Sequence, residues 1–186
     1  MSDPDDTPAI APDFTAKDVF GKTIKLSANT RGYTLLAFLR YSGCPWCNLA
    51  IHRLSLEHKR LKELNCRIVA FVQSDASSIK ENIYDRHQPR PQFPIIADDV
   101  MKYYKLYDVN VSVASTLGTI TKIPYWLESV HKHGFKQRKM DGSLFLVPAW
   151  FLINHRTSEI VQYKKGVSFY NYETFTSIYD SLVFSD

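Results

Sequence analysis

The feature of the sequence that most constrains the fold is a continuous apolar run at residues 33–39, YTLLAFL. A run of this length without alternating polar residues is typical of a β-strand that is covered on both faces, as in a parallel sheet. RIVAFVQ at residues 67–73 predicts a second strand of the same kind. Between them Leu54, Leu61 and Leu64 recur at helical spacing, so we expect a helix that runs to about Leu64. The order of strand, helix and strand indicates an α/β protein.

The rest of the chain predicts further elements of one domain. Residues 1–12 are rich in proline and aspartate and are expected to form a flexible arm before a single domain at 13–186. Residues 14–27 carry a turn signal at Gly21 between two extended pieces, which predicts a hairpin. Residues 110–143 predict a helical or loop insertion that packs beside the core. The other expected elements are helices at residues 77–86, 100–109 and 172–184, and strands within residues 91–99, 144–154 and 159–165.

Composition and charge argue against several classes of function. The formal net charge is +4 over 186 residues and is spread along the chain, which disfavours a nucleic-acid-binding surface. The N-terminus, MSDPDDTPAI, lacks the basic start and the apolar stretch of a secretory signal. The longest mostly apolar run, at 144–153, is far shorter than the roughly 20 residues that span a bilayer. We therefore expect a soluble, cytoplasmic protein without nucleic-acid or membrane partners.

Two of the three cysteines, Cys44 and Cys47, form the motif CPWC soon after the strand predicted at residues 33–39. Pro45 suits the first turn of a helix, where its missing N–H breaks no hydrogen bond, so the pair is expected at a helix N-terminus. Backbone N–H groups there stabilise a thiolate and lower its pKa. A second thiol one turn away can displace a mixed disulfide. The motif therefore predicts a nucleophile at Cys44 and a resolving thiol at Cys47.

Two other interpretations of the pair are weaker. A structural zinc site needs four ligands, and neither Cys66 nor the histidines within residues 131–133 complete a zinc-binding spacing. Cys66 itself is expected to be a packed thiol. Inert packing of the pair is disfavoured because Gly43 and Pro45 mark a turn, where side chains are expected to be exposed. A redox role is therefore the leading interpretation, with no metal and no cofactor besides the redox-active disulfide.

A second element of the predicted site is Pro148, which opens the run PAWFLIN. Proline is out of place in a central strand unless it starts the strand or follows a cis peptide bond. We expect a cis bond between Val147 and Pro148, which would present the backbone of Val147 to an extended substrate across the CPWC turn. An ordinary trans proline at the start of a strand is the alternative.

Together these segments resemble the thioredoxin-like superfamily, in particular its AhpC/TSA peroxiredoxin-like branch. APDFTAKDVFGKTIKLS is similar to the opening hairpin of peroxiredoxins, and YTLLAFLRYSGCPWCNLAIHRLS is similar to their active-site strand, loop and helix. The segments IVAFVQSD, PQFPIIADDVMKYYKLYDV and VPAWFLINHRTSEIV resemble their later units. The resemblance implies a three-layer α/β fold of thioredoxin-like type, with a central mixed sheet flanked by helices and an N-terminal β-hairpin.

The active-site motif departs from that of peroxiredoxins. Alignment on the strand places Cys47 at their peroxidatic cysteine, Cys44 at their threonine and Arg40 at their proline. Pro148 falls where peroxiredoxins carry the arginine that polarises the peroxide, and thioredoxins and glutaredoxins have proline at that position. CPWC is similar to the CPYC motif of glutaredoxins, with Trp46 in place of tyrosine. The segments therefore resemble one family in fold and another in active site.

The resemblance leaves two orders of attack and three functions open. Thioredoxin-type chemistry makes Cys44 the nucleophile, whereas peroxiredoxin spacing makes it Cys47. We favour Cys44, because a resolving thiol further into the helix is usually more buried and has the higher pKa. The leading prediction is a thiol-disulfide oxidoreductase, and the alternatives are an atypical thiol peroxidase that reduces hydroperoxides and a redox-inert interaction module. The implied partners are a disulfide or hydroperoxide substrate, a thiol reductant such as thioredoxin or glutathione, and a second copy of the chain in a homodimer.

Other residues near the motif have two interpretations each. Arg40 could stabilise a thiolate or could form a plain salt bridge. Tyr41 and Trp46 could form an apolar lip for a substrate, although Trp46 could simply pack on the insertion. His52 is interpreted as a helix-surface residue rather than a base. The basic loop at residues 131–139 could attract glutathione carboxylates or an acidic partner, or be a solvated loop.

Overall fold

Strands and helices alternate along most of the chain. The structure is a computed structural model that describes residues 9–111, 123–166, 169 and 173–184. No helix in these ranges combines the length and apolar character needed to cross a membrane. The strands are β1 (Thr15–Lys17), β2 (Thr23–Lys25), β3 (Tyr33–Leu39), β4 (Cys66–Val72), β5 (Ile95–Ala97), β6 (Ala149–Asn154) and β7 (Glu159–Lys165). The helices are α1 (Pro45–Glu63), α2 (Ala76–Ile79), α3 (Lys102–Leu106), α4 (Ile123–Leu127) and α5 (Glu173–Phe184), and π-helical turns at Lys80–Tyr84 and Glu128–Lys132 continue α2 and α4.

The central sheet has the strand order β5–β4–β3–β6–β7, with β3 in the middle. β3 pairs in parallel with β4 and antiparallel with β6. β4 pairs in parallel with β5, and β6 pairs antiparallel with β7. β1 and β2 form a separate antiparallel hairpin. This mixed sheet with an N-terminal hairpin confirms the predicted fold class.

The side chains of β3 alternate between two apolar cores, one on each face of the sheet. Leu35, Ala37 and Leu39 face the core that also contains buried residues of α1 and α5. Leu36 and Phe38 face the other core, which is covered by the hairpin and α3. Every residue of β3 is buried, as expected for a strand covered on both faces. The packing on both faces therefore holds β3 in one position, and the active-site turn starts from its end.

Two predicted elements have different limits in the structure. The helix predicted at residues 77–86 is a short α2, capped by Asp75, whose side chain accepts a hydrogen bond from the Ser78 N–H, and then the π-helical turn. The strand predicted at residues 144–154 begins only at Ala149. The residues before Ala149 lie outside the sheet. One of them, Leu146, makes an isolated antiparallel bridge with Val111.

The predicted insertion and arm are described in part. Residues 112–122 of the insertion lie outside the described residues, and the remainder contains α4 and the π-helical turn after it. Residues 1–8 of the arm also lie outside them. The following residues lie along the sheet, because the Ala11 N–H donates to the Ser158 carbonyl at 2.8 Å. The described part of the predicted arm is therefore attached to the domain.

Phe71 tests the apolar core that holds β3 in place. Its ring stacks on Phe38 with centroids 4.7 Å apart, and it is fully buried. We expect Phe71→Ala to lower the free energy of unfolding by about 3–5 kcal/mol, because the substitution leaves a cavity. Val100 is 70% exposed, so Val100→Ala should change the same quantity by less than about 0.5 kcal/mol. Urea denaturation measures both, and similar losses in the two variants would contradict the expectation.

Candidate active site

The CPWC motif lies where the chain leaves the central sheet and enters α1. Cys44 is the N-cap residue of α1, Pro45 is its first residue and Cys47 lies in its first turn. Cys44 and Cys47 approach to 3.3 Å, and the Cys47 thiol hydrogen-bonds to the Cys44 sulfur. Both are free thiols. A small movement would bring the sulfurs to the disulfide bond length of about 2.05 Å, so the pair has the geometry to close a ring.

Arg40 is the charged group nearest to the pair. Its Nη2 donates to the Cys44 sulfur at 3.4 Å, and its Nη1 donates to the Leu144 carbonyl at 3.1 Å. The guanidinium also lies over the Trp46 ring, 5.3 Å from the ring centroid. None of the salt bridges among the described residues includes Arg40. Its contacts therefore match the first of its two interpretations, in which it stabilises a thiolate.

The two thiols of the pair differ in acidity. Burial raises the pKa of Cys44, but the hydrogen bond from Cys47 and the charge of Arg40 more than offset it, and the pKa falls to about 6. The backbone N–H groups of Trp46 and Cys47, at the positive end of α1, also hydrogen-bond to the Cys44 sulfur and lower its pKa. Burial and the neighbouring Cys44 raise the pKa of Cys47 well above its ordinary value. Cys44 is therefore the thiolate near neutral pH, which favours it as the nucleophile.

The prediction that the turn exposes its side chains is wrong. Cys44 is 0% exposed and Cys47 is 5% exposed. The cause is the insertion, because its residues 128–143, which we call the cover segment, cross the CPWC turn. A Cβ atom at Gly43 would lie 2.6 Å from the Lys139 carbonyl oxygen, so the segment rests directly on the turn. The basic loop predicted at residues 131–139 is therefore part of this cover.

Hydrogen bonds hold the cover segment on the turn. The Ser129 hydroxyl donates to the Pro45 carbonyl at 2.6 Å, and the Arg138 N–H donates to the Gly43 carbonyl at 3.0 Å. The segment is therefore attached directly over the turn that carries the cysteines. Three further hydrogen bonds join the cover segment to residues that follow β3 and β4. They run from Tyr41 Oη to Gln137 Oε1 (3.2 Å), from Ser74 Oγ to Asp141 Oδ1 (2.8 Å) and from the Ser143 N–H to Gln73 Oε1 (2.7 Å).

The predicted apolar lip does not include Tyr41. Tyr41 is 1% exposed, and its hydroxyl is bound by the cover segment. Burial raises the pKa of this hydroxyl to about 12, so it stays protonated. Trp46 is half-buried and packs against the core that contains α1. Tyr41 is therefore a structural support of the cover segment rather than a substrate contact.

The predicted cis bond between Val147 and Pro148 is wrong. The cis peptide among the described residues lies elsewhere, at Gln88–Pro89. Pro148 precedes Ala149, the first paired residue of β6, so its missing N–H breaks no hydrogen bond of the sheet. The Val147 N–H already donates to the Asn110 carbonyl at 3.2 Å. This N–H is therefore used inside the fold and is not open to a substrate.

Sequence reasoning missed two buried polar residues beside the motif, Asn48 and His87. They are 1% and 0% exposed, and His87 Nε2 lies 2.8 Å from Asn48 Oδ1. Asn48 Nδ2 donates to the carbonyl oxygens of Ser42 and Cys44 at 2.6 and 3.0 Å. The i+4 spacing from Cys44 was a signal for Asn48, because such residues share a helix face. No local pattern marks His87, which comes from a distant part of the chain.

His52 is not a free helix-surface residue. It is half-buried against the cover segment, with its ring centroid 4.5 Å from that of His133. Burial and the charge of His133 lower its pKa. Within the described ranges, no three or more His, Cys, Asp or Glu side chains are arranged to hold a metal ion. His52 therefore belongs to the surface on which the cover segment packs.

Cys66 lies apart from the pair, at the start of β4. It is 1% exposed, and burial raises its pKa to about 12, which confirms a packed thiol. It also borders a groove of about 770 Å³ at the N-terminal ends of the parallel strands, which neither Cys44 nor Cys47 lines. The groove is therefore at the opposite end of the sheet from the candidate active site.

A mixed sheet of this strand order, with a thiol pair at the start of the helix that follows the central strand, defines a protein of thioredoxin-like fold. The chain belongs to the AhpC/TSA family, whose sequence pattern matches residues 8–158. No curated relative matches the chain. The family and the fold predicted from the sequence are both confirmed.

Solved structures of peroxiredoxins are similar in fold over almost the whole chain. Peroxiredoxin Q of Xanthomonas campestris has 14% identity and a TM-score of 0.66, covering 96% of this chain and 94% of that one. Peroxidoxin BcpB of Mycobacterium tuberculosis has 14% identity and a TM-score of 0.67, covering 95% and 96%. A yeast mitochondrial 1-Cys peroxiredoxin has 18% identity and a TM-score of 0.69, covering 97% and 77%. At these identities the similarity establishes the fold.

The ultraviolet absorbance of the thiolate tests the acidity of Cys44. We expect the Cys44 thiol to titrate with a pKa of about 6, so that it is protonated at lower pH and ionised at higher pH. Arg40→Gln removes the adjacent positive charge, so it should raise this pKa by on the order of one unit. Arg156→Gln, on the exposed turn between β6 and β7, is the matched control and should leave the titration unchanged. Superimposable titrations of Arg40→Gln and the unsubstituted protein would rule out the role of Arg40.

Gly43→Ala tests whether the cover segment controls access. The new Cβ would meet backbone atoms of the cover segment at 2.6 Å, so the segment must shift away. We expect reaction with a bulky aromatic disulfide reagent to accelerate about fivefold, the factor that corresponds to one lost hydrogen bond of about 1 kcal/mol. A small alkylating reagent should gain less, and urea denaturation checks that the fold persists. Unchanged selectivity between the two reagents would show that the segment is no barrier.

Proposed function

We propose that this protein is a thiol-dependent peroxidase in which Cys44 and Cys47 alternate between a dithiol and a disulfide. The observation that carries the proposal is the approach of the two residues to 3.3 Å at the start of α1. Arg40, with its Nη2 3.4 Å from the Cys44 sulfur, adds the positive charge that a thiolate needs. Membership of the AhpC/TSA family supports a thiol-dependent oxidoreductase. The oxidant and the roles of the residues are part of the proposal.

In the first half-reaction the Cys44 thiolate attacks the terminal oxygen of a hydroperoxide. An S–O bond forms, the O–O bond breaks and the alcohol or water leaves with a proton, so Cys44 becomes a sulfenic acid. The Cys47 thiol then attacks that sulfur, water leaves and the disulfide closes. Two electrons pass from the thiols to the peroxide. Arg40 stabilises the thiolate before attack and can stabilise the negative charge that develops on the leaving oxygen.

In the second half-reaction an external thiol reductant restores the dithiol. One thiol attacks the disulfide to form a mixed disulfide, and a second thiol displaces it. We expect attack at Cys47, since it is 5% exposed whereas Cys44 is 0% exposed. The yeast 1-Cys peroxiredoxin of similar fold has a thiol-resolving mechanism that uses the glutathione/thioredoxin systems. Reductants of those two classes are therefore the first to test.

The cover segment favours a small oxidant over a protein disulfide. Attack on a disulfide requires one of its sulfurs to approach the Cys44 sulfur, and Cys44 is 0% exposed beneath residues 138–139. A small hydroperoxide needs a much smaller opening than a folded disulfide partner. This reverses the order of the two enzyme hypotheses drawn from the sequence, in which thiol-disulfide exchange comes first.

Thiol-disulfide exchange with a disulfide substrate is the second candidate function. The low pKa of Cys44, near 6, supports it, because the same thiolate would attack a disulfide. It requires the cover segment to move off Gly43 during each turnover. The two candidates share the Cys44–Cys47 couple and differ in the oxidant that reaches it.

Stopped-flow mixing of the reduced protein with hydrogen peroxide tests the proposal. We expect loss of two thiols for each peroxide consumed, and abolition of the fast reaction in Cys44→Ser. Cys47→Ser should accumulate a sulfenic acid at Cys44, which a dimedone-type reagent traps, because no thiol resolves it. Cys66→Ser is the matched control and should keep the full rate, since burial raises the Cys66 pKa to about 12.

Two of the following results would contradict the peroxidase, and one would contradict only the roles assigned to the two cysteines. Rapid reaction with a disulfide substrate and slow reaction with peroxide would support the second candidate. A fast peroxide reaction that survives in Cys44→Ser and is lost in Cys47→Ser would reverse the assigned roles. Thiols of ordinary pKa that react with neither oxidant would support the redox-inert interaction module.

A further inference from the structure

We propose that His87 and Asn48 are positioning residues for Cys44. The hydrogen bond between them holds the CPWC turn in the shape that keeps the Cys44 sulfur beside Cys47 and Arg40. This inference rests on the proposed redox function of the pair and adds two residues to it that the motif does not contain. Both act through the backbone of the turn rather than on the reacting sulfur.

Asn48 ties the turn from its buried side. Its Nδ2 donates to the carbonyl oxygens of Ser42 and Cys44 at 2.6 and 3.0 Å, and its backbone N–H also donates to the Cys44 carbonyl at 3.0 Å. These carbonyls lie on either side of Gly43, the residue with the greatest backbone freedom in the turn. Fixing both peptide groups therefore fixes the direction in which the Cys44 side chain leaves the backbone.

The two carbonyl oxygens also determine the orientation of the Asn48 amide. Only the NH₂ group can donate to a carbonyl, so Nδ2 faces the turn and Oδ1 faces His87. His87 Nε2 lies 2.8 Å from Oδ1, and it can donate there only when it carries a proton. His87 is therefore the Nε2–H tautomer, and its hydrogen bond holds Asn48 in the orientation that the turn requires.

The surroundings of His87 preserve this neutral tautomer. The ring is 0% exposed and stacks on Phe135 with centroids 4.4 Å apart, and its Nδ1 has no hydrogen-bond partner among the described residues. Burial first, and then the charges of the neighbouring His52, Arg86 and His133, lower its pKa to about 3. His87 therefore stays neutral through the physiological pH range and donates one constant hydrogen bond.

Loss of the His87 hydrogen bond should reach Cys44 through Asn48. Without a donor to Oδ1, the Asn48 amide is held only by its hydrogen bonds to the Ser42 and Cys44 carbonyls, so these carbonyls are fixed less firmly. The Cys44 sulfur then spends less time beside the groups that lower its pKa. Its ionisation constant should fall, and the disulfide should be favoured over a dithiol form that has lost part of its stabilisation.

Two substitutions at His87 separate the hydrogen bond from the packing. His87→Phe keeps a ring against Phe135 and removes the donor, whereas His87→Gln places an amide N–H as many bonds from Cβ as Nε2. We expect His87→Phe to lower the ionisation constant of Cys44 about fivefold, the factor for one ordinary hydrogen bond. The equilibrium with glutathione should move towards the disulfide by a similar factor, and His87→Gln should restore both. Thiolate absorbance and a glutathione redox titration measure the two quantities.

Asn48→Ala completes the test as a double-mutant cycle. In that background His87→Phe should have no further effect on either quantity, because its influence passes through Asn48. Urea denaturation of each variant identifies a merely structural role. Loss of stability with unchanged ionisation and redox equilibrium would overturn the inference, and so would equal effects of phenylalanine and glutamine at His87. Failure of the unsubstituted protein to form the Cys44–Cys47 disulfide would instead overturn the proposed function.

Discussion

The position of β3 in the middle of the sheet is the constraint on which the active site depends. β3 is hydrogen-bonded to β4 on one side and to β6 on the other, and apolar cores cover both of its faces. A shift of one residue would exchange the side chains that face the two cores, so the register is strongly specified. The end of β3 therefore determines where the turn begins, and α1, which starts at Pro45, brings both cysteines to its positive end. The reactive geometry depends on the sheet as well as on the motif.

Burial and charge act in opposite directions at the cysteine pair. Removal from water raises the pKa of both thiols, because it disfavours the charged form. Arg40 and the hydrogen bond between the thiols then favour one negative charge, and they place it on Cys44. A second charge so close would be repelled, which adds to the effect of burial in raising the pKa of Cys47. One thiolate beside one protonated thiol is the arrangement that a nucleophile and a resolving partner need.

The cover segment distinguishes this site from an open CxxC turn. It hydrogen-bonds to the turn at Gly43 and Pro45, and its His133 ring packs against the His52 ring of α1. The same burial that protects the pair also encloses His87 and Asn48, whose hydrogen bonds fix the turn from inside. Access, acidity and backbone shape at Cys44 are therefore linked through one segment that is remote from the motif in sequence.

Local patterns predicted the elements that carry the site. The apolar runs at 33–39 and 67–73 and the helical spacing after Cys47 identified β3, β4 and α1, because periodicity reports directly which side chains are buried. The motif also located the thiol pair, since proline and a helix start are local features. The cis bond at Val147–Pro148 and the exposed Cys44 were wrong, because a proline is tolerated wherever its strand pairing begins, and exposure depends on whatever packs above a turn. The strand-to-helix junction with its two cysteines could be predicted from local patterns alone. The burial of the pair, the contact of the cover segment with Gly43 and the hydrogen bond from His87 could not, because these are contacts between residues far apart in the chain that no local pattern encodes.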